Sequence, residues 1–503
     1  MTAYDRLVTL TREASLLSSS SAVLSWDQEV TMPPGGIEIR AQQLALLARL
    51  HHERVTAPEI GDLLSTCEAD AAIRGEPLSA AAVNVRELRH EFTRQSKLPA
   101  SLVEEEARLA SLGQHTWAEA RKRADFSHFR PVLEKIVHLL RQKAACYGWA
   151  QGGEAWDALA DDYERGCTAK YVESVFRPLR PRLTALLGDL TGRGRAPSNR
   201  LNETALDVAQ QAKYVRFIAE SIGFDFQRGR LDTSTHPFCT GFHPGDVRLT
   251  TRYKESCMLD GLGSVMHECG HGIYEQGLPA EQAGLPMCRA TSLGIHESQS
   301  RMWENQVGRS ERFWRWAQPK LADYFGGAVN GFSFDEVYGA ANIVEPGFIR
   351  VEADEATYNL HVMVRFEIER ALLAGELAVA DIPGVWNNKY KEYLGLTVPD
   401  DAKGCLQDIH WSMTAMGYFP TYTLGNLYAA QFFEQARREM PGLEDEFAQG
   451  RFGALRGWLN GKIHAHGRRY MAADLCREVT GAALSAEPLM RHLEGKLRPI
   501  YGV

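Results

Sequence analysis

Along this chain, apolar residues recur at the three- to four-residue spacing of amphipathic helices, and that pattern breaks clearly only once. Leu102, Val103, Leu109, Leu112 and Trp117 mark one stripe, and Val132, Ile136, Leu139 and Leu140 another. The first predicts a helix over 101–123, opened by Ser101 with Glu104 three residues on as a capping box. The second predicts a helix over 129–147. Further helices suit 169–190, 204–222, 256–276, 288–306, 355–374 and 424–439. The break lies between Phe224 and Tyr253, where Gly and Pro punctuate short β-branched or aromatic runs. The expected fold class is mainly α, a single helical body over 1–503 with a small embedded β-sheet of two or three strands near 224–253. No short repeat and no Pro/Gly/Ser-rich linker divides the chain, so one domain is expected, in one or two lobes.

Composition removes whole classes of function. Hydrophobic residues make up 44% and charged residues 24%, which excludes collagenous and disordered chains. The formal net charge of −8 offers no basic face for nucleic acid or anionic lipid. The cysteines number nine, an odd count with no CxxC pair, as in proteins that keep their thiols reduced. Asp5, Arg6, Arg12 and Glu13 interrupt the N-terminal segment before a signal peptide could form. No apolar run reaches the roughly 18 residues of a membrane span. The expected location is the cytoplasm, with neither membrane nor nucleic acid as partner.

The chemistry concentrates in His267-Glu268-Cys269-Gly270-His271. Histidines four apart on a helix stand about 40° apart around its axis, so both imidazoles reach into the same space. Two nitrogens from one turn form half of a tetrahedral zinc site. Glu268, next to the first of them, flanks that face and is placed to take a proton from an activated water. The bland alternative is a buried helix whose histidines bond to backbone. A catalytic site needs a third protein ligand, and Glu297 follows His271 by 26 residues on the next predicted helix. Glu275, His296 and Glu304 compete with it. Glu275 lies too far along the first helix, His296 points elsewhere, and Glu304, two turns beyond, suits an outer position. Cys269 points off the ligand face and reads as packing. His464 and His466 form an HxH pair without acidic company, which reads as structural or solvated.

Other motifs follow in order: Asp246-Val-Arg-Leu-Thr250, His296-Glu-Ser-Gln299, Ile349-Arg-Val-Glu-Ala-Asp354 and Gly404-Cys-Leu-Gln-Asp-Ile-His-Trp411. With Trp26-Asp-Gln-Glu near the start and Ile463-His-Ala-His-Gly-Arg-Arg-Tyr470 near the end, the whole chain resembles the carboxypeptidase Taq family of metallocarboxypeptidases. The resemblance implies a cleft-bearing fold like that of helical zinc oligopeptidases, with the N-terminal helical part, about 1–200, forming one wall. It implies release of single residues from peptides with a free C-terminus, with broad specificity and poor action on C-terminal Pro. A homodimer is implied as well.

Under that resemblance His267, His271 and Glu297 hold zinc, with Co²⁺ or Mn²⁺ as possible substitutes, and Glu268 is the general base. Arg350 takes the substrate carboxylate, for which a planar guanidinium is the best-suited side chain. Arg248 would close the end of the groove. His410 would donate to the developing oxyanion, oriented by Gln407 and Asp408 and helped by Tyr418 or Tyr422, between which the sequence does not choose. Asp354 suits either an acceptor for a ligating histidine or a structural acid. Two rival readings share these residues. An endo-acting helical oligopeptidase would not need Arg350, and a helical binding scaffold would not need the metal.

Overall fold

The computed structural model describes all 503 residues. It contains twenty-three α-helices and one small sheet, and no helix is long and apolar enough to cross a membrane. The helices expected over 169–190, 256–276 and 355–374 appear as Ala169–Gly192, Met258–Gly277 and Tyr358–Ala374. Boundaries differ where capping decides them. The helix expected from Ser101 begins at Ala100 behind Pro99, and Pro99 offers no side-chain cap. Ser101 therefore falls inside the first turn, and its capping box does not form. The helix expected over 288–306 begins only at Leu293, because Ser292 accepts the Ile295 N–H at 3.1 Å. It ends at Arg301 and passes into a π-turn, Met302–Val307.

No helix is expected before residue 101, yet Ala3–Val30, Ile37–Val55, Pro58–Ala69 and Ala80–Ser96 are all helical. In Ala3–Val30 only Leu7, Thr11, Ala14 and Trp26 are buried, and four serines, Ser18 to Ser21, dilute the apolar stripe. The periodicity was too sparse there to announce a helix.

Two compact units emerge, each assembled from three stretches of chain. One comprises Met1–Ser96, Ser198–Ala341 and Phe432–Ala483, the other Lys97–Pro197, Asn342–Gln431 and Leu484–Val503. The first two hundred residues, expected to act together as one wall, divide at Ser96.

The first unit holds the sheet: β1 (Gly229–Thr233), β2 (Cys239–His243) and β3 (Asp246–Thr251), in the order β1-β3-β2. β3 pairs parallel with β1, setting Leu231 opposite Leu249, and antiparallel with β2, setting Cys239 opposite Leu249. Val247 and Leu249 of β3 are fully buried, and the helix Met258–Gly277 packs across β2 and β3. That helix also crosses Leu293–Arg301 at Gly270, where the backbones nearly touch. A Cβ on Gly270 would lie 2.5 Å from the Gln299 carbonyl oxygen and 2.5 Å from Ser300 Cα.

In the second unit the helix Tyr358–Ala374 is buried nearly all round. Leu360, Val362, Met363, Val364, Phe366, Ile368 and Leu372 each bury a side chain worth about 1.5–3 kcal/mol. Burial on every side fixes its rotation, so the polar residues it carries keep a defined heading.

The Gly270 crossing yields a paired prediction. Gly270→Ala must push helix against helix, so thermal unfolding should show a loss of about 1–3 kcal/mol. Gly263→Ala, in the same helix with nothing within 4 Å of its Cβ, should gain about 0.5–1 kcal/mol instead. A Gly270→Ala protein that melts at or above the wild-type temperature would refute the tight crossing.

Candidate active site

The Gly270 crossing brings three donors together. Glu297 Oε2 lies 3.6 Å from His267 Nε2 and 3.5 Å from His271 Nε2. All three donor atoms lie within 4.8 Å of one another. Around a tetrahedral cation with bonds of about 2.1 Å, donors stand about 3.4 Å apart. The residues therefore fit a divalent metal and leave its fourth position to water.

The surroundings set the protonation of each group, and at His267 the carboxylates of Glu297 and Glu304 outweigh burial and raise the imidazole above its ordinary value. His267 Nδ1 is 2.9 Å from Glu304 Oε2, a contact that fixes the tautomer presenting Nε2. Arg301 donates from Nε to Glu297 Oε1 at 2.7 Å and from Nη1 to Glu304 Oε2 at 3.2 Å. Burial pushes both acids up, but Arg301 and the histidines outweigh it. Glu297 is held well below the carboxylate range, and Glu304 falls to about 2. Burial and the neighbouring His296 drive His271 down to about 3, so its imidazole is neutral and able to ligate. His296 stacks on His271 with ring centroids 4.4 Å apart, and its Nε2 lies 2.8 Å from Glu275 Oε1. Of the rivals to Glu297, His296 and Glu275 thus pair with each other, and Glu304 backs a histidine.

Glu268 is buried. That burial, joined by Glu297 and Glu304, pushes its carboxyl up to about 7, where a group can both take a proton and return it. Cys269 is fully buried, and burial raises its thiol well above the usual range, as suits packing. His464 is buried, with Nε2 2.9 Å from Gln299 Oε1, a structural histidine.

The second unit carries its own charged cluster. Arg350 sits in the turn Arg350–Glu352, and its backbone N–H donates to Gln407 Oε1 at 2.8 Å. Its guanidinium donates to Asp408 Oδ1 from Nε at 3.1 Å and Nη2 at 2.9 Å, and to the Tyr358 hydroxyl from Nη1 at 2.7 Å. Gln407 and Asp408, expected to orient His410, hold Arg350 instead. Asp354, weighed as an acceptor for a ligating histidine, accepts the N–H groups of Glu345, Ala356 and Thr357. Its role is structural.

His410 lies 4.5 Å from Phe419 and 5.2 Å from Tyr418, centroid to centroid. Its Nε2 is 3.4 Å from the Tyr422 hydroxyl, and the Tyr422 ring lies 4.8 Å from the Arg350 guanidinium carbon. Tyr418 stacks edge-on with Tyr163. Of the two phenols, Tyr422 is the one that reaches the imidazole. Burial and Arg350 hold His410 down to about 4, so it is neutral at pH 7. Glu369 pins the loop that follows. It accepts the Trp411 indole N–H at 2.9 Å and the Gly417 N–H at 3.0 Å.

Arg248, on β3, donates from Nε and Nη2 to Asp246 at 2.9 Å each, and it stacks over Trp26 at 4.5 Å and Phe242 at 4.9 Å. Sequence reasoning missed Arg301, Tyr358, Arg365 and Glu369. A signal existed for the last three. Tyr358, His361, Arg365 and Glu369 recur at helical spacing on a largely apolar segment, and a buried polar stripe demands partners.

The carboxypeptidase Taq (M32) metallopeptidase family model matches residues 6–497. Thermostable carboxypeptidase 1 of Thermus thermophilus is 43% identical over 99% of both chains, and carboxypeptidase 1 of Bacillus subtilis 34% identical over 98% of this chain and 97% of its own. The crystal structure of the M32 carboxypeptidase from Deinococcus radiodurans superposes with a TM-score of 0.96 at 38% identity, covering both chains fully. Metallocarboxypeptidase 1 of Trypanosoma cruzi gives 0.93 at 35% identity over 99% of each chain. The motifs, the three converging donors and this end-to-end similarity lead to one conclusion: the chain belongs to the carboxypeptidase Taq (M32) metallopeptidase family and is a metallocarboxypeptidase acting on peptides.

Proposed function

We propose that the metal is zinc, held by His267, His271 and Glu297, and that the enzyme releases single C-terminal residues with broad specificity. The observation that carries the metal assignment is the convergence of both Nε2 atoms on one Glu297 oxygen at 3.5–3.6 Å. Two imidazoles and a carboxylate suit zinc, and they also accept Co²⁺ or Mn²⁺. When bound, the cation supplies the Lewis acidity that activates a water and polarises the scissile carbonyl. Glu268 takes a proton from the attacking water and passes it to the leaving amine. Arg350 captures the free C-terminal carboxylate, which fixes cleavage one residue in. His410 donates a hydrogen bond to the developing oxyanion, with Tyr422 as its partner and Tyr418 as a flanking aromatic. Arg248, braced by Asp246, closes the end of the groove and so enforces exopeptidase action.

A peptide bond to C-terminal Pro has no N–H and a rigid ring, so such substrates are poor. Nine free cysteines fit a reducing cytoplasm. We extend the reading to one domain spanning 1–503 and to a homodimer, the latter on family resemblance alone.

Three outcomes follow. Glu297→Ala should lose bound metal on direct measurement of metal content, while Glu304→Ala should keep most of it; the reverse result would exchange their roles. Glu268→Gln should bind metal as wild type does and lose about 10²–10⁴-fold in kcat, since the amide keeps the shape without the basicity. Near-normal turnover by the metal-loaded variant would exclude Glu268 as the base. Arg350→Ala should lower kcat/KM roughly 10- to 100-fold on a free-acid peptide, with partial rescue by Lys and little change on the matched C-terminal amide. Equal proportional losses on acid and amide would return Arg350 to a structural role.

A further inference from the structure

Arg350, the proposed anchor, already has a carboxylate partner. A guanidinium paired one-to-one with an aspartate is neutral as a whole, and an arriving anion would meet the aspartate's repulsion. A second buried guanidinium changes that tally. Arg365, fully buried on the helix Tyr358–Ala374, donates from Nε to the other Asp408 oxygen, Oδ2, at 2.6 Å. Its Nη1 donates to the His361 carbonyl at 2.6 Å, and its guanidinium carbon stands 4.5 Å from the Trp386 ring and 5.4 Å from Phe419. Two guanidinium groups therefore share one carboxylate, one on each oxygen.

The groups around them do not restore the balance. Burial, reinforced by neighbouring arginines, keeps His361 and His410 neutral at pH 7. Burial likewise raises the Tyr390 phenol. Glu369 lies one turn beyond Arg365, but burial pushes its carboxyl up to about 7, and its oxygens point to the Trp156 and Trp411 indoles and the Gly417 N–H rather than to either guanidinium. At the aspartate itself two guanidinium groups meet one carboxylate, and the excess positive charge is delocalised over planar groups whose faces lie on aromatic rings. Such a charge is expensive to bury and is relieved by an anion.

We propose that Arg365 is a positioning residue for the substrate's terminal carboxylate. It occupies the second oxygen of Asp408, so that Asp408 aligns Arg350 without cancelling it, and the site keeps one positive charge for the incoming anion. Arg365 itself touches no substrate. The proposal rests on Arg350 being the anchor, and its consequence is that recognition of a free acid depends on a residue outside the contact surface.

The test measures kcat/KM on a matched free-acid and C-terminally amidated peptide for the metal-loaded enzyme. Arg365→Gln makes the cluster neutral, so the acid-to-amide ratio should fall about 10-fold or more, mostly through KM, with the amide rate little changed. Arg365→Lys, which keeps the charge, should restore part of the ratio. The decisive variant is Arg365→Gln/Asp408→Asn, which returns the cluster to one positive charge through an amide–amide pair. Its ratio should climb back toward wild type, which a purely structural role for Arg365 would not produce. If Arg365→Gln fails to fold, the double variant decides alone: a ratio within a few-fold of wild type supports the proposal, and one as low as that of Arg350→Ala overturns it. An acid-selective loss in Arg350→Ala combined with equal losses on both substrates in Arg365→Gln overturns the role of Arg365 and leaves the anchor standing. Proportional losses in Arg350→Ala itself overturn the anchor reading first.

Discussion

Three carboxyl groups, the buried Glu268 and Glu297 and the partly buried Glu304, lie around two imidazoles, and the first unit's site depends on how each is kept charged or neutral. Left uncompensated, such a cluster would protonate. Arg301 prevents this for two of the three. Its place one turn after Glu297 and one turn before Glu304 lets a single guanidinium hold both as anions. Glu268, outside its reach, is pushed up to about 7 by the same burial. One environment therefore divides three identical side chains, holding Glu297 and Glu304 as anions and leaving Glu268 near neutrality. The division needs the helices close enough to share their charges, which is why Gly270 stands at the crossing.

The second unit inverts the arithmetic. There the buried excess is positive, two arginines to one aspartate, and aromatic faces take the place of counter-charges. An acidic cluster invites a cation and a basic cluster invites an anion. A peptide hydrolase that works from the free C-terminus needs both.

Legibility in the sequence followed the physics of local spacing. The convergence of His267 and His271 was legible because four residues make about one helical turn, and that of Glu297 because it follows on the next predicted helix. The strand region was legible from its Gly and Pro punctuation. What failed was any inference that treated neighbours in the chain as partners in space. Asp408 sits two residues before His410 and turns instead to Arg350 and Arg365, which lie 58 and 43 residues away. Asp354, four residues after Arg350, turns to the backbone N–H groups of Glu345, Ala356 and Thr357. The Ser101 capping box failed because a proline two residues earlier had already set the helix start. The N-terminal helices went unseen because their stripes are short, Leu7, Thr11 and Ala14 in one and Ile60, Leu64 and Cys67 in another.

His410 and Tyr422 show why the sequence could not choose between the two tyrosines. Tyr418 and Tyr422 are four residues apart, both rings lie near the imidazole, and both are aromatic neighbours of the same motif. Only the hydroxyl positions distinguish them, and those depend on where the loop after His410 enters the helix Pro420–Glu439. That loop carries Thr414 at φ 63°, a conformation a β-branched residue adopts only under constraint, and Gly417 at φ 95° against the Ala160 backbone. Glu369, gripping Trp411 on one side and the Gly417 N–H on the other, supplies the constraint. The rotation of a buried helix some forty residues upstream thus decides which phenol meets the histidine. The same helix presents Arg365 to Asp408, so one buried polar stripe sets both the second guanidinium on that aspartate and the phenol that meets the imidazole.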